Sequence, residues 1–316
     1  MLEEDTLILN TGSRTDIPAF YSEWFFNRIQ EGYCLVRNPY DATQVTKYLL
    51  DPELIDCMVF CTKNPEPMLE RMEELAAFRQ FWQVTITPYG RDIEPNVPPK
   101  EAVIDSFNRL AQIVGPYATT WRYDPIIINR KYSLAHHLIV FEKMANALAG
   151  STHRCVISFV DLYEKTKKNF AGVRRVTKPE RETIADEFVR VGKKYGIEIC
   201  TCHEGDELQK FGVNTDGCMT TEVLERVIGY TMQVPASKKK AREGCDCLLG
   251  ADIGVYNTCA HGCKYCYAYF DYETVTQNME LHDPASPFLI GQPHEEDVIA
   301  EAKQVRYGEG QISLFV

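Results

Sequence analysis

Three cysteines near the carboxyl-terminal end carry the strongest chemical signal in the chain. In NTCAHGCKYCYA, Cys259, Cys263 and Cys266 read C-x3-C-x2-C. Thiolates so closely spaced can converge on one soft metal centre from a single loop. Three ligands are one short of a closed structural zinc site, or of a [4Fe–4S] cluster held wholly by protein. An open coordination position marks a working metal rather than a staple. Upstream lie Cys200, Cys202, Cys218, Cys245 and Cys247, two C-x-C pairs with a single cysteine between them. Cys202, Cys218, Cys245 and Cys247 are predicted as ligands of a second Fe–S cluster or a zinc ion; the other reading is buried thiols. His261 inside the loop and His203 beside Cys202 are candidates for a ligand or a proton donor, or for a structural role.

The chain has 316 residues and 12 cysteines. Its first residues, MLEEDTLILN, lack a basic region followed by an apolar core, so the expected location is cytoplasmic and disulfides are a poor explanation. Cys34, Cys57, Cys61 and Cys155 fall in β-rich runs and read as core. A net charge of −11 argues against a broad phosphate-binding surface and leaves a local basic groove open. The run Lys238, Lys239, Lys240 and Arg242 reads as a solvated loop before a phosphate contact. No apolar stretch approaches the ~18 residues of a membrane span, so no membrane partner is expected.

These residues need elements to position them. Eight β-rich runs recur: Leu7–Asn10, Tyr33–Val36, Cys57–Cys61, Trp82–Thr87, Thr119–Tyr123, Cys155–Val160, Ile197–Cys202 and Asp252–Tyr256. Apolar stripes at helical spacing lie between most of them, among them Ile184, Phe188, Val191 and Tyr195, and Val223, Leu224, Val227 and Ile228. Thr177 and Pro179 predict a helix start. Strand alternating with helix predicts an α/β fold, a parallel (β/α) barrel, full or partial, with its chemistry on the rim where the strands end. That rim carries Thr11-Gly12-Ser13, Thr62-Lys63-Asn64, Arg122 and Asp124, Asp161, and Cys202-His203-Glu204. Arg122 and Asp124, two apart on a strand, face the same way, either to hold a polar ligand or as an internal salt bridge. The barrel is expected over residues 1–290, with a cysteine-rich segment at 200–270 and a tail at 291–316.

C-x3-C-x-aromatic-C directly after a strand of such a barrel resembles the radical S-adenosylmethionine (SAM) signature. The resemblance implies that Cys259, Cys263 and Cys266 hold three irons of a [4Fe–4S] cluster while the fourth iron chelates SAM. An electron from the cluster then cleaves SAM to a 5′-deoxyadenosyl radical. It implies a place near the adenine for Tyr265, a SAM-binding role for Thr11, Gly12 and Ser13, and a flavodoxin- or ferredoxin-type electron donor. In that superfamily the motif follows the first strand, whereas here it follows the last run. A circular permutation, with the last strand beside the first, would restore the ring. The chain as a whole resembles an uncharacterised bacterial and archaeal family with carboxyl-terminal cysteines of this type. TKNP (Thr62 to Pro65) and WRYDPIII (Trp121 to Ile128) resemble strand ends of the spore photoproduct lyase branch. Lys63, Arg122 and Asp124 are the candidate catalytic residues, and Cys61 and Cys202 candidates for returning hydrogen.

The chain ends GQISLFV. Gln311, Ser313, Leu314 and Phe315 resemble the peptide with which bacterial repair and replication proteins dock on the DNA sliding clamp; a terminal apolar peptide could instead pack on its own barrel. The expected function is therefore a radical SAM enzyme, its substrate unknown and nucleic-acid repair or modification in view. The alternative is a non-catalytic Fe–S or zinc-stabilised module that docks on a replication or repair partner.

Overall fold

Side chains on a strand alternate between two faces, and in this chain both faces of the main sheet are apolar enough to be covered. The computed structural model describes residues 8–162, 166–167, 170, 173–234, 246–248 and 250–308. Its strands are β1 (Ile8–Asn10), β2 (Tyr33–Asn38), β3 (Asp41–Leu49), β4 (Cys57–Thr62), β5 (Gln80–Thr85), β6 (Thr119–Ile126), β7 (Arg154–Phe159), β8 (Glu198–Thr201), β9 (Ala251–Asp252) and β10 (Val298–Glu301). Seven form one sheet in the order β8-β7-β6-β5-β4-β1-β9. Every neighbouring pair in it is parallel. The fold is α/β, with β8 and β9 at the two edges of the sheet. β9 pairs with β1 through Leu9–Ala251 and Asn10–Asp252, so the last of these strands lies beside the first.

The Tyr33–Val36 run does not enter this sheet, contrary to the expectation of eight parallel units. It belongs to β2, which runs antiparallel to β3, and β10 joins β3 on its other side. Only residues 39 and 40 separate β2 from β3. So short a link joins antiparallel neighbours; a parallel partner needs a crossover of about a dozen residues. Polar Thr43, Gln44, Thr46 and Lys47 dilute the apolar alternation of β3 and hide it from pattern reading. β10 lies within the segment read from sequence as a tail. The Asp252–Tyr256 run ends as a strand at Asp252, and the chain then turns into the cysteine loop.

One face of the seven-stranded sheet presents Met58, Phe60, Trp82, Val84, Trp121, Tyr123 and Ile157 to an outer layer of helices. Those include Ser22–Glu31, Lys100–Val114, Leu134–Ala147 and Lys178–Tyr195. Trp82 stacks on Phe60 at 4.1 Å and Phe141 on Phe188 at 3.5 Å between ring centroids. Each such side chain contributes about 1.5–3 kcal/mol by leaving water. The Lys178–Tyr195 helix begins where the sequence predicts. Thr177 and Glu180 form a reciprocal capping box, proline sits in the first turn, and Gly196 closes the helix at φ 70°.

The opposite, inner face is different. Ile8, Cys57, Val59 and Phe81 pack there against Leu224 and Ile228 of the helix Thr221–Ile228, with Met219, Met232 and Val234. This helix therefore covers the face opposite to the outer helices, at the end where the strands begin. Nearer the strand ends the same face turns polar, with Gln83, Thr120, Arg122, Asp124 and Ser158 at the alternate positions of β5, β6 and β7. Among the described residues, no helix is long and apolar enough to cross a membrane.

Candidate functional site

The cysteine loop leaves β9 at the end where the parallel strands finish. Cys263 is buried, and Cys259 and Cys266 are partly buried. The loop is held on three sides. The amide of Asn96 donates to the His261 carbonyl (3.2 Å), the Asn96 side-chain amide to Ala260 (2.8 Å), and the Lys264 amide to Ile93 (3.0 Å). From the outer layer the Tyr21 hydroxyl donates to the Thr258 carbonyl at 2.6 Å. Gly262 turns at φ 65° with Pro95 so close that a Cβ would meet it at 3.2 Å. Within the loop the Cys266 amide donates to the Cys263 carbonyl (3.0 Å) and the Ala268 amide to Cys266 Sγ (3.3 Å). An amide aimed at sulfur is the contact that a metal-bound thiolate uses.

His261 ties the loop to Asp16. It is buried, its Nε2 donates to Asp16 Oδ2 at 2.8 Å, and its ring meets Phe20 edge-on at 4.6 Å. Asp16 also caps the short helix Ile17–Phe20 through the Ala19 amide (3.1 Å) and accepts from the Lys63 amide (2.8 Å). One carboxylate thus ties the β4 exit to the cysteine loop.

Lys63 and Tyr265 meet on Glu94, a residue that sequence reading missed. Glu94 is buried, with one oxygen accepting from Lys63 Nζ (2.8 Å), Thr87 Oγ1 (2.8 Å) and the Tyr265 hydroxyl, and the other from Lys100 Nζ. Burial alone would raise this carboxyl, yet Lys63 and Lys100 hold it down at about 2. At Lys63 burial pulls downward, but attraction to Glu94 and Cys263 outweighs it and the pKa is raised. At Lys100 burial wins, aided by repulsion from Lys63, and the pKa is lowered. Burial pushes the Cys263 thiol up to about 12 and Lys63 draws it back. Two ammonium groups on one carboxylate leave an excess positive charge beside the loop. The Tyr265 ring lies 6.3 Å from Tyr89 and 5.5 Å from Lys63 Nζ.

Thr11, Gly12 and Ser13 lie at the β1 exit, next to β9. Thr11 is buried and its hydroxyl donates to the Val59 carbonyl at 3.2 Å. Gly12 passes so close to β4 that a Cβ would meet the Cys61 carbonyl oxygen at 2.2 Å. The Ser13 amide donates to Asp252 Oδ2 (3.0 Å) and its carbonyl accepts from the Tyr267 hydroxyl (2.8 Å). The turn is thereby stitched to the root of the cysteine loop.

Arg122 and Asp124 form an ion pair, and Ser158 Oγ donates to the second Asp124 oxygen. Burial opposes the Arg122 charge, but Asp124, then Cys218, Cys61 and Cys202, raise its pKa. Arg122 also acts on Tyr267, the neighbour of Cys266. Arg122 is therefore within electrostatic reach of both Cys202 and Cys218 and of Tyr267 beside Cys266. Gln83 Oε1, Thr120 Oγ1 and Arg122 Nε, all at inner-face positions, are buried and find no hydrogen-bond partner among the described residues.

The second cysteine group also comes together. Among the described residues, Cys202, Cys218 and Cys247 form the one group of three possible ligands whose atoms all lie within 4.8 Å of one another, and they could bind a metal. The sulfurs of Cys259, Cys263 and Cys266 do not gather so tightly. Cys245, predicted beside Cys247, lies outside the described residues, as do Gln311, Ser313, Leu314 and Phe315 and the run Lys238, Lys239, Lys240 and Arg242. Cys200 takes no part: Arg154 Nη2 donates to its sulfur at 3.1 Å.

A family model spans residues 8–268, from β1 to just beyond the cysteine loop. The chain belongs to the DUF1848 family, a domain of unknown function. No curated protein matches it significantly. Both cysteine groups, the Glu94 cluster and the Arg122–Asp124 pair lie inside the stretch that defines this family.

Proposed function

We propose that this DUF1848 protein is a radical SAM enzyme whose [4Fe–4S] cluster is held by Cys259, Cys263 and Cys266. The observation that carries the reading is the motif's setting: three thiols on one braced loop, at the finishing ends of parallel strands, next to a polar inner face. Cys259, Cys263 and Cys266 would hold the cluster, which, once reduced by an external donor, would supply the electron for reductive cleavage of SAM.

The chain's own residues have distinct tasks. Lys63 and Lys100, with one carboxylate between them, offer positive charge for an anionic group such as the SAM carboxylate. Glu94 orients them and fixes Tyr265, and through it the loop. Gln83, Thr120 and Arg122 present unsatisfied polar atoms to the inner face, where a polar substrate would be recognised. Leu224, Ile228, Met219 and Val234 close the other end of that face with apolar side chains and keep water out.

Anaerobic reconstitution tests the assignment. The full chain should take up iron and sulfide and absorb near ~400 nm, and a Cys259→Ala/Cys263→Ala/Cys266→Ala variant should lose the sulfide. Unchanged sulfide in the variant would reject these ligands. A wild-type protein that holds a cluster yet leaves SAM intact would favour a non-catalytic docking module.

A further inference from the structure

Cys202, Cys218 and Cys247 come from three separate stretches of chain. Cys202 directly follows β8, Cys218 lies in the loop before the helix Thr221–Ile228, and Cys247 precedes β9. Their separations are specific. Cys247 Sγ stands 3.7 Å from Cys202 Sγ and 3.6 Å from Cys218 Sγ, and the set falls within 4.8 Å. Thiolates around a tetrahedral zinc ion, with Zn–S near 2.3 Å, are ~3.8 Å apart along each edge. A cluster that gave each sulfur its own iron would hold them farther apart.

Two further features point to a bound cation. Cys247 Sγ accepts from the amides of Cys218 (3.2 Å) and Met219 (3.3 Å), the arrangement that stabilises a thiolate rather than a thiol. The approach depends on Gly217, at φ 128°, where a Cβ would stand 2.9 Å from that sulfur. A turn shaped this closely around a sulfur is hard to explain for a merely buried thiol.

We infer that Cys202, Cys218 and Cys247 bind a single zinc-type ion, separate from the proposed cluster, that clasps the two edges of the seven-stranded sheet. β8 and β9 are those edges, and the Cys202–Cys247 contact bridges the residue after one to the segment leading into the other. Binding exchanges thiol protons for metal–sulfur bonds, with no change of oxidation state. The inference does not depend on radical chemistry: an inert SAM-binding loop would leave it intact, and loss of this ion would leave the cluster assignment intact.

The test uses the full chain carrying Cys259→Ala/Cys263→Ala/Cys266→Ala, so that the proposed cluster cannot contribute. It should purify with about one zinc per chain, show X-ray absorption of at least about three sulfurs near ~2.3 Å, and show no second metal nearby. Cobalt in place of zinc should give the intense visible bands of a tetrahedral thiolate site. Adding the ligand-sparing Gly217→Ala should weaken zinc binding about 10–100-fold, and adding Cys218→Ala should weaken it more. Removing the ion with a chelator should speed amide exchange at residues 198–202 and 250–252 before the outer helices respond. Absence of bound metal, or an iron–sulfide cluster in place of the single ion, overturns the inference. So does unchanged zinc affinity in the Cys218→Ala protein.

Discussion

Replacing Glu94 with glutamine should destabilise the protein by about 3 kcal/mol at neutral pH, and two independent lines give that magnitude. The fall of its pKa from 4.5 to about 2 corresponds to about 3 kcal/mol of interaction with the folded surroundings. Removing one partner of a buried ion pair costs about 3–5 kcal/mol, because the other charge is left uncompensated; here two ammonium groups, Lys63 and Lys100, are left. The sign with pH follows from the depressed value. The contribution is complete above about pH 4.5 and is lost as pH falls toward about 2, so wild type and variant should converge in acid. Urea titrations at neutral pH and in acid read both effects. In a Glu94→Gln/Lys100→Met protein, which removes a cation with the carboxylate, part of the loss should return. A Glu94→Gln variant within about 0.5 kcal/mol of wild type at neutral pH would refute the reasoning.

Other substitutions probe other links. Gly12→Ala places a Cβ 2.2 Å from the Cys61 carbonyl oxygen and should cost at least about 2 kcal/mol in the same denaturation assay. His137 is buried with Nε2 donating to the Ile127 carbonyl and Nδ1 accepting from the Tyr123 hydroxyl. Burial lowers its pKa from 6.5 to about 4. The folded state refuses a proton that the unfolded state accepts, so stability should fall by up to about 3 kcal/mol between pH 6.5 and 4; His137→Gln should flatten that slope, and an unchanged slope would contradict the assignment. Deleting residues 311–316 should abolish binding to a bacterial sliding clamp in a pull-down; equal binding with and without them, or none by the intact chain, rejects tail docking.

What was legible in the sequence followed distance along the chain. Cys259, Cys263 and Cys266 fall within one loop, so their shared place in the fold follows from their spacing in the sequence. The start of the Lys178–Tyr195 helix was legible for the same reason, since Thr177 and Pro179 act locally. Glu94 was not legible. It lies 31 residues from Lys63, and nothing in the Pro-rich stretch around it marks a carboxylate destined for burial. Cys202, Cys218 and Cys247 were recognisable by type, but the close sulfur contacts exist only once β8 and β9 become opposite edges of one sheet. The stripe Val223, Leu224, Val227 and Ile228 predicts a helix without saying which face of the sheet it covers; periodicity carries no such information. The second sheet stayed hidden because β3 is polar at most of its exposed positions.

If Cys259, Cys263 and Cys266 hold the proposed cluster, they support reductive cleavage of SAM. Chromatography of an anaerobic mixture of reconstituted protein, dithionite and SAM measures it directly. The wild-type chain should yield 5′-deoxyadenosine, and Cys263→Ala none above background. Intact SAM in the presence of a fully assembled cluster, or equal product from the variant, would contradict it.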